Sequence, residues 1–394
     1  MFASIVLGDD VYSDTISDKI EVSRMQASCS SPTAMDDDDS NNPPLAATYK
    51  HLFDSHPYRL DAGDRTSSDD ECGLPLIDLA GLQHGGEEDP AAAERCRAAI
   101  VRAAAEWGFF QVTGHGVPRA LLDELHEAQV GVFRRPFERK VREPLLGFSP
   151  ESYRWGTPTA TSLEQLSWSE AYHIPITPAA EPEAAAGGGD KTRLVIEEVS
   201  TAMSQLAQRL ARILMGGLQL NDDAGGDGDD EDMVMTRACT RSTCFLRLNR
   251  YPPCGAASGA FGLCPHTDSD FLTILHQDGV GGLQLLNSGR WLAVKPNPGA
   301  LIVNVGDLLQ AWSNDLYRSV EHRVMASADQ ERFSVAFFLC PAYDTVIRPR
   351  CGTAGAGAGG PRYRSFTFGE YRNQIREDVK RTGRKLGLQR FRLS

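Results

Sequence analysis

The sequence predicts an α+β protein: a mostly helical first half packed on a core of short strands, with a closing helix. Three observations predict it. Apolar stripes at helical spacing run through Ala91–Glu106, Arg119–Phe137 and Leu194–Leu220. From Thr243 the pattern changes to short apolar runs separated by Gly, Pro and Asn. Thr367-Phe368-Gly369-Glu370 is a capping-box pattern ahead of a last helix over Tyr371–Leu386.

Residues 1–45 are polar and acidic, including Asp36–Asp39, and are expected to be a disordered extension. Met25 and Met35 offer internal starts within it. Phe2–Leu7 is apolar but lacks a basic flank and runs into Asp9-Asp10, so it does not read as a signal peptide. Order is expected from Leu74–Leu79, a short strand. The alanine-rich helix then closes at Trp107-Gly108, Phe109–Val112 is a strand, and Gly114–Pro118 a turn. In the next helix Leu121, Leu122, Leu125 and Val132 share one side. Glu181–Gly189, Asn221–Asp232 and Gly352–Gly360 cannot bury a core and read as surface loops. The second of these is acidic but lacks the register of a calcium loop.

Strand candidates are Cys244–Arg250, Phe271–Leu275, Leu283–Leu286, Trp291–Val294, Ala300–Val305, Val320–Val324 and Arg332–Leu339. Many short strands at this spacing indicate a sandwich or barrel. A jelly roll (double-stranded β-helix) sets the inward residues of two sheets around a mouth, which suits a metal site. The expected organisation is therefore the extension at 1–45, a helical region at 74–240, a jelly-roll core at 241–345 and a helical segment at 361–394.

A formal net charge of −13 argues against a nucleic-acid or anionic-membrane surface. Nine scattered cysteines with no C-x-x-C fit reduced thiols in the cytoplasm. No apolar stretch reaches the ~18–20 residues of a membrane span. The sequence sets no oligomeric state.

His266, Asp268 and His322 carry the functional argument. Two histidines and a carboxylate form the open ligand set of non-haem Fe(II) oxygenases. On an extended strand, residues i and i+2 share a face, so His266 and Asp268 are expected to reach one metal from one strand. His322 follows 54 residues after Asp268 in another strand-like run. Arg332 and Ser334 repeat the i, i+2 spacing and offer a guanidinium fork and a hydroxyl to a carboxylate. Cys264 shares that strand face by period and, as a soft ligand, would favour zinc; a small buried residue is the plainer reading. His51, His56, His84, His126 and His276 read as surface or packing residues. His115 reads as a turn residue making a structural hydrogen bond, and His173 as part of an aromatic core with Trp168 and Tyr172.

The chain resembles the plant 2-oxoglutarate-dependent dioxygenases over nearly all of residues 74–392. The resemblance rests on Leu74-Pro75-Leu76-Ile77-Asp78, Trp107-Gly108-Phe109-Phe110-Gln111-Val112 and Gly114-His115-Gly116-Val117. It rests also on Asn249-Arg250-Tyr251-Pro252-Pro253-Cys254, His266-Thr267-Asp268 and Arg332-Phe333-Ser334. Leu166–Ile174, Pro265–Gln277, Gln310–Asn314 and Phe337–Pro341 are most similar to the gibberellin 2-beta-dioxygenases, especially the group acting on C20 gibberellins. The resemblance implies Fe(II) on His266, Asp268 and His322. It also implies that Arg332 pairs with the distal carboxylate of 2-oxoglutarate, helped by Ser334, Tyr251 and Asn249. O₂ would be the second co-substrate, ascorbate the reductant, and 2β-hydroxylation of a gibberellin the outcome. Gibberellins are acids, so a second cation should face the pocket, with Arg154 and Arg247 as candidates. The family carries an aromatic residue where Arg250 stands. Another gibberellin oxidase, a flavonoid oxidase, a zinc hydrolase and a non-catalytic binding barrel remain the rival readings.

Overall fold

The computed structural model describes residues 39–55, 71–82, 89–146, 152–176, 191–218, 239, 243–255, 259–350 and 360–393. Its first part holds α1 (Leu45–Ser55), β1 (Glu71–Cys72), β2 (Leu76–Asp78), α2 (Pro90–Glu106), β3 (Phe109–Thr113) and α3 (Arg119–Phe133). These are followed by α4 (Phe137–Arg142), β4 (Tyr153–Trp155), β5 (Glu170–Pro175) and α5 (Lys191–Gly216). The second part supplies β6 (Phe245–Tyr251), β7 (Phe261–His266), β8 (Leu272–Gln277), β9 (Leu283–Asn287) and β10 (Arg290–Val294). It continues through β11 (Leu301–Val305), α6 (Asp307–Trp312), β12 (His322–Met325) and β13 (Arg332–Leu339). β14 (Val346–Ile347), β15 (Phe366–Thr367) and α7 (Phe368–Thr382) come last.

Two sheets form the jelly-roll core. The smaller has the strand order β1-β10-β9-β12-β7, and the larger β2-β3-β11-β8-β13-β6-β5-β4. Four strands of the larger sheet come from the first part of the chain, which sequence patterning had read as mostly helical. β4 and β5 are short and flanked by polar residues, so no period-2 run announced them. Helix α1 also lies before the expected start of order at Leu74. It buries Leu45, Tyr49 and Leu52 beside Leu166 and Trp168. Residues 1–38 of the expected extension fall outside the described residues, as do His56, His84 and the loops at 181–189, 221–232 and 352–359.

Local chemistry explains the helix boundaries. Asp89 caps α2 by accepting from Ala92 N at 2.9 Å, and Pro90 occupies the first turn, where its missing N–H is no loss. Thr367 caps α7 by accepting from Glu370 N. Gly108, with φ +64°, turns α2 into β3; a Cβ there would meet the Arg318 carbonyl at 2.2 Å, in the loop that leads to His322. Helix α5 buries Val195, Val199, Met203, Leu206, Leu210 and Leu214, a helical stripe that packs on the larger sheet. Each buried Leu or Val there contributes about 1.5–3 kcal/mol. No helix among the described residues is long and apolar enough to cross a membrane.

A buried ionic network fastens the start of the described chain to the larger sheet. Lys140 Nζ donates to Glu170 Oε2 at 2.6 Å and to the carbonyls of Asn41 and Phe133 at 2.7 and 3.0 Å. Arg250 reaches Glu170 Oε1 and Glu331 Oε1, both at 2.5 Å, and Asn42 Oδ1 at 2.8 Å. Tyr153 donates its hydroxyl to Glu170. Arg250 thus points to the face opposite Asn249 and Tyr251, where carboxylates balance its charge. Glu170→Ala would leave buried Lys140 without a counter-ion and Arg250 with Glu331 alone, and is expected to lower unfolding stability by about 3–5 kcal/mol. Urea denaturation measures this, and a loss under ~1 kcal/mol would show that the network contributes little.

Candidate active site

The core presents one converging ligand group. β12 lies antiparallel to β7 with His322 directly opposite His266. Their rings stand 4.3 Å apart between centroids. β7 ends at His266, so Asp268 lies in the loop beyond the strand and not on its face as the spacing suggested. Its carboxylate still returns: Oδ1 is 3.6 Å from His266 Nε2 and 3.7 Å from His322 Nε2. One ligand atom from each of the three lies within 4.8 Å of the others, the one such group among the described residues.

Each ligand is oriented by a neighbour. His266 Nδ1 sits 2.7 Å from the Cys264 carbonyl and His322 Nδ1 3.0 Å from the Val320 carbonyl. A carbonyl only accepts, so Nδ1 carries the proton in both rings and Nε2 keeps a lone pair for a metal. Phe109 packs edge-on against His322 at 5.2 Å. Burial, then His266, lowers the His322 pKa to about 4, which keeps the ring neutral near pH 7. Asp268 Oδ2 accepts from Thr273 Oγ1 at 2.6 Å and Asn304 Nδ2 at 2.8 Å, leaving Oδ1 to the metal. Burial works against ionising Asp268; positive charge on His322 and His266 in their protonated forms, with the Thr273 hydroxyl, outweighs it and holds the carboxyl well below its ordinary range. Burial and the Asp268 charge push the nearby Asp270 well above that range.

A small cavity of about 60 Å³ joins this group to Arg332. The register of β13 against β6 sets Arg332 opposite Tyr251, Ser334 opposite Asn249, Ala336 opposite Arg247 and Phe338 opposite Phe245. Alternation puts these rungs on one face of the larger sheet. Arg332 is 2% exposed, donates to Gln277 Oε1 at 2.7 Å and to Ser334 Oγ at 3.4 Å, and lies 4.8 Å from the centre of the Tyr251 ring. Asn249 Nδ2 donates to Ser334 Oγ at 3.4 Å. Arg332 lines the cavity and its Nε is a buried donor without a protein acceptor, so a carboxylate there would suit it. The expected residues all line this cavity. Arg247 does too, with Nε on Asn249 Oδ1 at 2.7 Å, whereas Arg154 does not.

The other sequence readings resolve by contact. Cys264 Sγ faces the Leu166 carbonyl at 3.0 Å and Ser167 Oγ at 3.2 Å, and burial pushes its thiol up to about 12, so it is a packing residue. Trp168 and Tyr172 are buried. His115 Nδ1 accepts from Val117 N, and His173 stacks on Phe245 at 3.9 Å. Thr273, Asn304 and Gln277 were not anticipated. Thr273 and Asn304 gave a signal all the same, each a polar residue interrupting an apolar strand, whereas Gln277 ends β8 between His276 and Asp278 and gave none. A separate cleft of about 680 Å³ follows the outer face of the smaller sheet and touches the metal group only at His266 and Thr267. Arg323 there is held 4.0 Å from Trp291 and donates to Gln284, and His266 is the residue that lines both this cleft and the metal cavity.

An open imidazole–imidazole–carboxylate group facing a buried guanidinium suits a divalent metal with a bound dicarboxylate. Comparison with known proteins agrees. Residues 242–341 match the 2OG-Fe(II) oxygenase superfamily, and residues 74–191 match the non-haem dioxygenase in morphine synthesis N-terminal model. The chain is 64% identical to gibberellin 2-beta-dioxygenase 5 of Oryza sativa subsp. japonica, covering 91% of this chain and 98% of that one. It is 48% identical to gibberellin 2-beta-dioxygenase 8 of Arabidopsis thaliana, over 82% and 88% of the two chains. The crystal structure of JOX2 in complex with 2OG, Fe and JA superposes with a TM-score of 0.63 at 30% identity, over 88% of this chain and 94% of that one. The chain therefore belongs to the 2OG-Fe(II) oxygenase superfamily and is an Fe(II)/2-oxoglutarate-dependent dioxygenase.

Proposed function

We propose that this protein is a gibberellin 2-beta-dioxygenase, acting on C20 gibberellins and also accepting C19 forms. In this reading His266, Asp268 and His322 hold Fe(II), and Arg332 and Ser334 hold the distal carboxylate of 2-oxoglutarate. The observation that carries it is the ligand group and the buried guanidinium sharing one cavity, in a chain 64% identical to a gibberellin 2-beta-dioxygenase. Free thiols at Cys96, Cys239, Cys244, Cys254, Cys264 and Cys340 support a reducing, cytoplasmic setting.

Bound iron supplies the activation of O₂ that the decarboxylation of 2-oxoglutarate drives, with ascorbate as the reductant that keeps the metal ferrous. The protein's own part is positioning. Two neutral imidazoles and one carboxylate leave one positive charge on a divalent ion, which favours an anionic chelator beside it. Arg332 fixes the far end of that chelator by charge-assisted hydrogen bonds, and the Tyr251 ring walls it in. Arg247 stands four residues along β6 from Tyr251, about 13 Å of strand, which sets it far enough from Arg332 to meet a different carboxylate. We assign it to a carboxylate of the hormone. Phe338 and Phe245, stacked at 4.4 Å beside it, give the apolar skeleton a wall.

Incubation with Fe(II), 2-oxoglutarate and a panel of C19 and C20 gibberellins should yield 2β-hydroxylated product and succinate together; succinate formed only with a flavonoid would overturn the assignment. His266→Ala should cut turnover by more than ~100-fold, beyond the range of changes behind the ligands. Loss of the guanidinium in Arg332→Ala removes a charged hydrogen bond, about 1.5–3 kcal/mol. Its KM for 2-oxoglutarate should accordingly rise about 10- to 100-fold. Arg247→Ala should instead raise the gibberellin KM and leave that for 2-oxoglutarate near the parent value; the opposite split would reassign Arg247 to the co-substrate.

A further inference from the structure

Lys385, in the turn after α7, makes three polar contacts, and all of them concern the loop that carries Asp268. Its Nζ donates to the Thr267 carbonyl at 2.8 Å and to Ser269 Oγ at 2.8 Å, and pairs with Asp307 Oδ2 at 2.7 Å. Thr267 and Ser269 are the two neighbours of Asp268. Asp307, at the start of α6, closes the frame: its Oδ2 accepts from Thr267 Oγ1 at 3.1 Å and from the Tyr371 hydroxyl. Its N–H donates to the Asp268 carbonyl at 2.9 Å.

Lys385 also lines the outer cleft, and a cation on a cleft wall invites a role in binding the acidic substrate. Its chemistry argues otherwise. An ammonium has three donors, and all three are engaged, with the side chain only 12% exposed. Binding a substrate carboxylate would break contacts already made. The engaged donors instead fix backbone and side chain on both sides of a ligand that lies beyond the end of its strand.

We propose that Lys385 is a positioning residue for the metal: by bracing Thr267 and Ser269 against Asp307, it holds the Asp268 carboxylate where it meets His266 and His322. This inference rests on the ligand assignment above. Outer-sphere partners of this kind typically change metal affinity 10- to 100-fold.

The test titrates the metal-free full-length protein with Co(II), read by its visible d–d absorption, so that no turnover is needed. Lys385→Met should weaken Co(II) binding at least tenfold and alter the band shape. Lys385→Arg should recover part of the affinity. Because Lys385→Met leaves Asp307 buried and unpaired, the double variant Lys385→Met/Asp307→Asn restores charge balance, and Ser269→Ala removes one contact without touching any charge. Both should melt near the parent temperature yet bind Co(II) several-fold more weakly. Affinity within twofold of the parent in these folded variants would overturn the inference. Unchanged binding in His266→Ala would overturn the ligand assignment itself, so the two failures are distinguishable.

Discussion

The antiparallel pairing of β12 with β7 is the constraint on which the site depends. It brings His322 opposite His266 although the two are 56 residues apart in the chain. Ladder hydrogen bonds set that register, and both rings donate Nδ1–H to a carbonyl two residues upstream. Sheet geometry therefore decides which ring nitrogen is free, before any metal arrives. Asp268 has no such ladder. It is placed by side chains, with Thr273 and Asn304 taking one oxygen and a frame of Lys385 and Asp307 holding its neighbours.

The two sheets divide the chemistry. The smaller sheet carries the histidines, while the larger carries Arg332, Ser334, Asn249, Tyr251 and Arg247 on one face of adjacent strands. Because β6 and β13 are antiparallel and in regular register, the polar groups form rungs with the charged ends spread along the strand axis. A dicarboxylate and a bulkier acid can then be held by different arginines on the same surface. The N-terminal part of the chain is not an appendage to this arrangement, since β3 supplies Phe109 beside His322.

Much of the site was legible in the sequence because its signals are local. H-x-D, the strand-like run around His322 and R-x-S each depend on a few residues, and period-2 alternation correctly put Arg332 and Ser334 on one face. The reading failed where tertiary structure overrides local spacing. Asp268 lies past the strand end, so its i, i+2 relation to His266 does not describe how it arrives. Cys264 shares that strand period yet faces Ser167, in keeping with its plainer reading as a small buried residue. β4 and β5 went unseen because their stability comes from pairing with β6 and with each other, not from their own pattern. Lys385 was invisible, as its partners lie 118 and 116 residues away.

The network around Glu170 has an evolutionary consequence. Arg250 is buried and linked to Glu170, Glu331 and Asn42. The arginine could not have been acquired before a carboxylate without burying an uncompensated charge, whereas Glu170 also has Lys140 and Glu331 also has Arg134 as a counter-charge. These positions are therefore expected to vary as a set among relatives.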